Sequence, residues 1–199
     1  MKKFIVITKK ADQDVILTKK GHYLVFFYNY SGRITIKITK PFIEVNIFGL
    51  YIGKDSDTFR IDTNQYHSVA SSISNLLIRS ILYDSAKLFY TGTIKIEKKA
   101  QKTHAYQKNE NIILSDHAEV ESKPDLEILA DDVFCTHGST TGGVSAEQIY
   151  YLQNRGIAKK DAESLLLQGF VKDFFDRISK LGYDKNIRKF RSKILKYLQ

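Results

Sequence analysis

One thiol and one imidazole stand two residues apart in the stretch DDVFCTHGSTTGG: Cys135, the only cysteine of the chain, and His137. On a strand, residues i and i+2 project from the same face, so these two side chains can point together while Thr136 points away. A thiolate and a neutral imidazole are donors suited to zinc, copper or an iron-sulfur cluster. Two donors leave such a centre incomplete, because tetrahedral metal sites take four ligands and clusters about as many. The missing donors would come from another chain or from the cargo, which makes this half of a shared or transient site. Two plainer readings stay open. Cys135 can be a small buried hydrophobe beside a hydrogen-bonded His137, or a nucleophile with His137 as its base. For the second, no oxyanion-hole motif or orienting third residue stands out, although Asp131 and Asp132 lie close by.

The other reactive residues add little. His22, His67, His104 and His117 are scattered without metal-ligand spacing and read as surface or satisfied side chains. A single cysteine excludes an internal disulfide framework and a four-cysteine zinc site, and it suits a reducing compartment. STTGG lacks the lysine of a Walker loop, so ATP hydrolysis by this chain is not expected. The apolar runs are too short to span a membrane, and MKKFIVITKKADQD breaks into charge too soon for a secretory signal. The expectation is a soluble, unexported protein.

The formal net charge of +9 invites a nucleic-acid partner. Its distribution argues against a simple one. The basicity sits in the first and last twenty residues, and 21–179 is close to neutral. Solvated faces and docking of an acidic partner are both open for these termini.

The elements that must position Cys135 and His137 are short. From about residue 14 to 137 the chain is a succession of β-branched and aromatic runs, among them YLVFFYNY, ITIKIT, FIEVNIFGLYI, FRID, KLFYTGTIKI, NIILS and VFC. Several alternate with period two, as at Ile34, Ile36 and Ile38, so one face is buried. This predicts an all-β body over 1–140, and periodicity alone leaves a sandwich, a barrel and a parallel solenoid open. After His137, STTGG reads as a loop, and Ser145 with Gln148 has the form of a capping box opening a helix that stops at Gly156. A second helix is predicted over about 158–179, with an apolar stripe of Ala162, Leu165, Leu166, Gly169, Phe170, Phe174 and Ile178, and a stop at Gly182. A third, KNIRKFRSKILKYL, sets Ile187, Phe190, Ile194 and Leu198 against a basic face. Residues 141–199 are thus a helical domain.

Residues 105–170 carry a resemblance. The segments NENIILSD and KPDLEILADDV, the Cys-x-His-Gly element and the signature RGI…A…LLLQGF are similar to the C-terminal half of the SufB/SufD family of iron-sulfur cluster assembly proteins. The likeness extends upstream through TNQYHSVASSISNLLIRSILYDSAKLFYTGTIKI and is expected to fade before about residue 50. In CTHGSTTGG a glycine follows the histidine, which resembles the SufD branch, where SufB members commonly have an acidic residue. The chain is shorter than typical members and is expected to lack their helical N-terminal region.

The resemblance implies a right-handed parallel β-helix followed by a small helical domain. It also implies a non-catalytic scaffold in the bacterial cytosol, or alternatively a plastid. Such a subunit pairs with SufB or with itself through the β-helix and binds the ATPase SufC through the helices, with a transient iron-sulfur cluster shared across chains. Carried over by position, Cys135 and His137 match the interface cysteine and histidine, with His137 central to cluster assembly and Cys135 an auxiliary ligand or sulfur acceptor. A thiolate at Cys135 would need its pKa lowered, and a neutral His137 would need its other nitrogen fixed by a neighbouring group. Tyr151, Arg155 and Phe170 are the candidates for the SufC-binding surface. A nucleic-acid-binding β protein acting through its basic termini is the alternative.

Overall fold

The computed structural model describes residues 1–8 and 11–198. Lys9 and Lys10, two of the lysines of the basic N-terminal stretch, lie outside them. The chain divides into two compact units, Met1–Thr141 and Gly142–Gln199.

In the first unit the β-branched and aromatic runs form strands that alternate between two sheets. One sheet takes β1 (Lys2–Ile7), β3 (Gly21–Tyr28), β5 (Ile43–Gly53), β7 (Ile73–Leu82), β9 (Thr103–Ile113) and β11 (Val133–Gly142), in that order. The other takes β2 (Gln13–Leu17), β4 (Gly32–Ile38), β6 (Thr58–His67), β8 (Lys87–Ile96) and β10 (Glu119–Ile128). Each strand pairs with the next but one, and the pairing is parallel, as for Ile73 opposite His104 and Glu119 opposite Lys87. Strands that skip a neighbour in this way wind a solenoid of about four turns, which decides among the three architectures left open by periodicity.

The turns stack as the strands do. The Gly21 amide donates to the Phe42 carbonyl, Phe42 to Ser71, Ser71 to Gln101, and Lys102 to Asp132. One corner of the coil is thereby hydrogen-bonded from turn to turn, which leaves few buried backbone groups without a partner.

The lumen changes character along the solenoid. The early coils are filled by Val25, Phe27, Ile34, Ile36, Ile38, Val45, Ile47 and Tyr51, all essentially buried. Removing each such side chain from water contributes about 1.5–3 kcal/mol. From β6 onward, polar residues share the buried positions with apolar ones such as Ile61, Ile78, Leu88 and Ile94: Thr63, Gln65 and His67, then Ser74 and Ser80, then Thr103, Gln107, Asn109 and Asn111. This is why β6 and β9 run well beyond the apolar segments FRID and NIILS from which strands were expected there. Two further corrections apply. β1 lies before residue 14, where no strand was expected, and STTGG is not a loop, since β11 continues through Gly142.

In the second unit α1 (Ala146–Gln153) opens at Ser145, whose hydroxyl accepts from the Gln148 amide at 3.3 Å. Gly156, at φ 84°, takes the left-handed conformation after it. α2 (Lys159–Ile178) buries Ala162, Leu167, Val171, Phe174, Phe175 and Ile178. The expected stripe is therefore rotated, and Leu165 stands 50% exposed. A turn at Gly182, φ 85°, leads into α3 (Asp184–Tyr197), which buries Ile187 and Ile194. The Ser164 hydroxyl donates to the Leu198 carbonyl at 3.1 Å, and Arg191 pairs with Asp176 at 2.9 Å, so α2 and the end of α3 are tied by polar contacts as well.

Candidate functional site at the open edge of the solenoid

β11 is the edge strand of the six-stranded sheet. Its step from β9 is fixed by side chains. The Phe134 ring sits 5.0 Å from that of His104, and Asn111 Nδ2 donates to Thr141 Oγ1 at 3.1 Å, a separation of 30 residues. With that step Cys135 follows Ala105 and His137 follows Gln107 in columns along the lumen. Cys135 accordingly packs against the small cluster of Ile94, Ile96, Ala100, Ala105 and Ala130. By strand alternation His137 shares its face.

The two donors differ in environment. Cys135 is half-buried, and burial pushes its thiol above the ordinary range. The thiolate required of a ligand or nucleophile is thus disfavoured in this chain by itself, contrary to what reactivity at Cys135 would need. A cation brought against the sulfur would reverse that balance. His137 is exposed. Among the described residues no group of three or more His, Cys, Asp and Glu side chains comes together to hold a metal. Asp131 and Asp132 lie in the turn before β11, where the Asp132 carbonyl accepts from the Lys102 amide.

The other histidines occupy unrelated places. His22 pairs with Glu44 at 3.1 Å, the His104 ring lies tilted against that of Phe134, and His117 is exposed in a turn. His67 is fully buried, its two ring nitrogens 2.8 Å from the hydroxyls of Ser72 and Ser74.

The helical candidates separate. Tyr151 on α1 is 55% exposed, with the Arg155 guanidinium carbon 4.5 Å from its ring centre. Phe170 on α2 is half-buried. Three further apolar side chains of this unit are exposed without having been read as a binding surface, Tyr150 at 65%, Tyr197 at 52% and Leu165 at 50%. Helical periodicity could not flag Leu165, because it assigned that residue to the core stripe. Gln107 was missed as well. Its only signal was a polar residue in the alternation of β9, where the inward side was expected to be apolar.

A parallel solenoid whose edge strand β11 carries Cys135 and His137, followed by a helical unit, is the class of structure this chain builds. Residues 8–170 match the family model of the SUF system FeS cluster assembly SufBD core domain, and the chain belongs to that family. The likeness therefore begins far upstream of residue 50, where it was expected to fade. The chain is 34% identical over 121 residues to the iron-sulfur cluster assembly protein SufD of Escherichia coli, covering 61% of this chain and 29% of that protein. It is 32% identical over 136 residues to SufD of Bacillus subtilis, covering 68% and 31%. An iron-sulfur cluster assembly SufBD family protein of Synechocystis is 36% identical over 105 residues, covering 53% and 23%. The chain thus aligns with less than a third of the length of each of these relatives.

Proposed function

We propose that this chain is a SufD-like, non-catalytic scaffold subunit of an iron-sulfur cluster assembly complex, acting in a bacterial cytosol or a plastid. The observation that carries the reading is the placement of Cys135 and His137 together on the inner face of an edge strand, in a chain of the SufBD core family. An edge strand presents unpaired backbone donors and acceptors, and β11 adds an exposed Phe134 beside them. A SufB homologue or a second copy of this chain pairs along that edge and supplies the remaining donors. The cluster is cargo, built between the chains and passed on. His137 is its principal ligand here, and Cys135 is an auxiliary ligand or sulfur acceptor whose thiol ionises when iron approaches.

The partner ATPase of the SufC type docks on the helical unit. Tyr151 and Arg155 present a cation over an aromatic ring at the end of α1, and Leu165 adds exposed apolar surface on α2. Phe170, half-buried, contributes to that surface in part.

Co-purification with SufB-type and SufC-type proteins from the same source, with and without ATP, tests the assembly. The expected result is a stable complex that His137→Ala leaves intact but that no longer accumulates cluster absorbance when supplied with iron and sulfide. Absence of any complex, or full cluster formation by His137→Ala, would sink the proposal.

A further inference from the structure

The column beneath His137 contains a buried acceptor without a partner. Gln107 is 1% exposed, and its Nε2 donates to the Gly92 carbonyl at 3.1 Å, while its Oε1 has no hydrogen-bond partner. Gly92 makes that anchorage possible. A Cβ there would stand 2.4 Å from Gln107 Nε2 and 2.1 Å from the Tyr90 hydroxyl, so any larger residue would push the amide away. A buried carboxamide oxygen left unpaired forfeits the hydrogen bonds it made with water, and such atoms call for a physical reason.

A column further along β9 shows what an amide in this row can do. Four residues on, and two inward positions away, Asn111 accepts from the Ser80 hydroxyl of the preceding coil at 2.7 Å and donates to Thr141 of the following coil. The side chains of that column are hydrogen-bonded from coil to coil. Gln107 stands in the same relation to His137 as Asn111 does to Thr141, on strands about 4.8 Å apart, within reach of an amide and an imidazole.

We infer that Gln107 is a positioning residue for His137, its Oε1 accepting one ring N–H and so fixing which nitrogen keeps its lone pair. A neutral imidazole has one donor and one acceptor nitrogen. Holding the donor toward the lumen turns the lone pair outward, the usual arrangement for a histidine that meets a metal. Gln107 touches no cargo and acts only through His137. The use of this contact rests on the scaffold reading above, and the contact itself does not.

The test is made on the isolated chain, without metal or partner. Long-range proton–nitrogen correlation spectra of protein carrying isotope-labelled histidine, with the His137 signals assigned by their loss in His137→Gln, report the ring tautomer and the exchange of its N–H. The expected result is one dominant tautomer and a protected ring proton. In Gln107→Met, which keeps the length of the side chain without the acceptor, the tautomers mix and the ring proton exchanges freely. Gln107→Glu, which keeps an acceptor oxygen, restores the single tautomer. Mixed tautomers with a fast-exchanging proton in the wild type overturn the inference, whether or not Gln107→Met folds, as does an unchanged His137 signature in a folded Gln107→Met. A protected ring in a chain that builds no cluster would sink the scaffold reading and leave this contact standing.

Discussion

His67 shows what a single residue contributes when its polar groups are satisfied in the lumen. Burial lowers its pKa from 6.5 to about 4, so the ring is neutral in the folded chain at any pH near 7, bonded to Ser72 and Ser74. Above pH 6.5 neither state carries the extra proton, and the folded form holds its full stability. As pH falls from 6.5 to about 4 the unfolded chain binds a proton that the folded chain refuses, and stability is lost through that window. The loss is about 3 kcal/mol by the end of it. Urea unfolding between pH 7.5 and 4.5 is expected to show this slope, and His67→Asn to flatten it. An equal slope in the variant would assign the acid sensitivity to carboxylates instead. Cys135 is the contrary case, a half-buried thiol that burial pushes above its ordinary range.

At the scale of elements, the sequence was most legible where burial and periodicity agree. The period-two runs of β4 and β5 have their apolar residues inside the early coils, and the Ser145 cap, the glycine stops and the buried face of α3 all fall where local chemistry sets them. Legibility failed where the inside of an element is not apolar. β9 places Thr103, Gln107, Asn109 and Asn111 inward, so hydrophobicity marked only its last residues. β11 failed for a related reason, because small hydroxyl residues near its end read as a turn but are held by contacts such as Asn111 with Thr141. For the candidate site, Cys135 and His137 could be read from spacing, whereas Gln107 needs the coil-to-coil register. On α2 the stripe was rotated because two apolar faces compete in LLLQGF, and the difference is measurable. Phe174→Ala, at a fully buried position, is expected to cost about 3–5 kcal/mol. Leu165→Ala, half exposed, should stay within roughly 0.5 kcal/mol. Shifts in the urea midpoint decide between the rotated stripe and the expected one, and equal costs at the two positions would restore the latter.

At the scale of the whole molecule, the fold gathers lysines that lie far apart in the sequence. The turns of one corner of the solenoid carry Lys19, Lys20, Lys40, Lys98, Lys99 and Lys102 against Asp131 and Asp132, all exposed, and four of these lysines come from the nearly neutral middle of the chain. The turns of the opposite corner carry aspartates with backbone work to do: Asp12 accepts from the Arg33 amide, Asp57 from the Lys54 amide and Asp84 from the Asp55 amide. These acids are fixed by turn chemistry, whereas among the described residues the corner lysines show no comparable side-chain hydrogen bond, Lys20 lying 4.8 Å from the Phe42 ring centre, and their charges set the external field. Lys37, Lys87 and Lys95 make a natural contrast, since each is paired on the strands with Asp14, Glu119 or Glu127 within 2.7 Å. Changing Lys40, Lys98 and Lys99 together to glutamate alters the net charge as much as the same change at Lys37, Lys87 and Lys95. A concentrated field attracts a charged surface more strongly than the same charge dispersed among counter-charges. The corner triple is therefore expected to elute from a cation exchanger at clearly lower salt than the paired triple, with its unfolding midpoint unchanged. Identical elution of the two would mean that net charge alone governs the attraction, and that the stacking of distant turns into one basic corner has no consequence outside the fold.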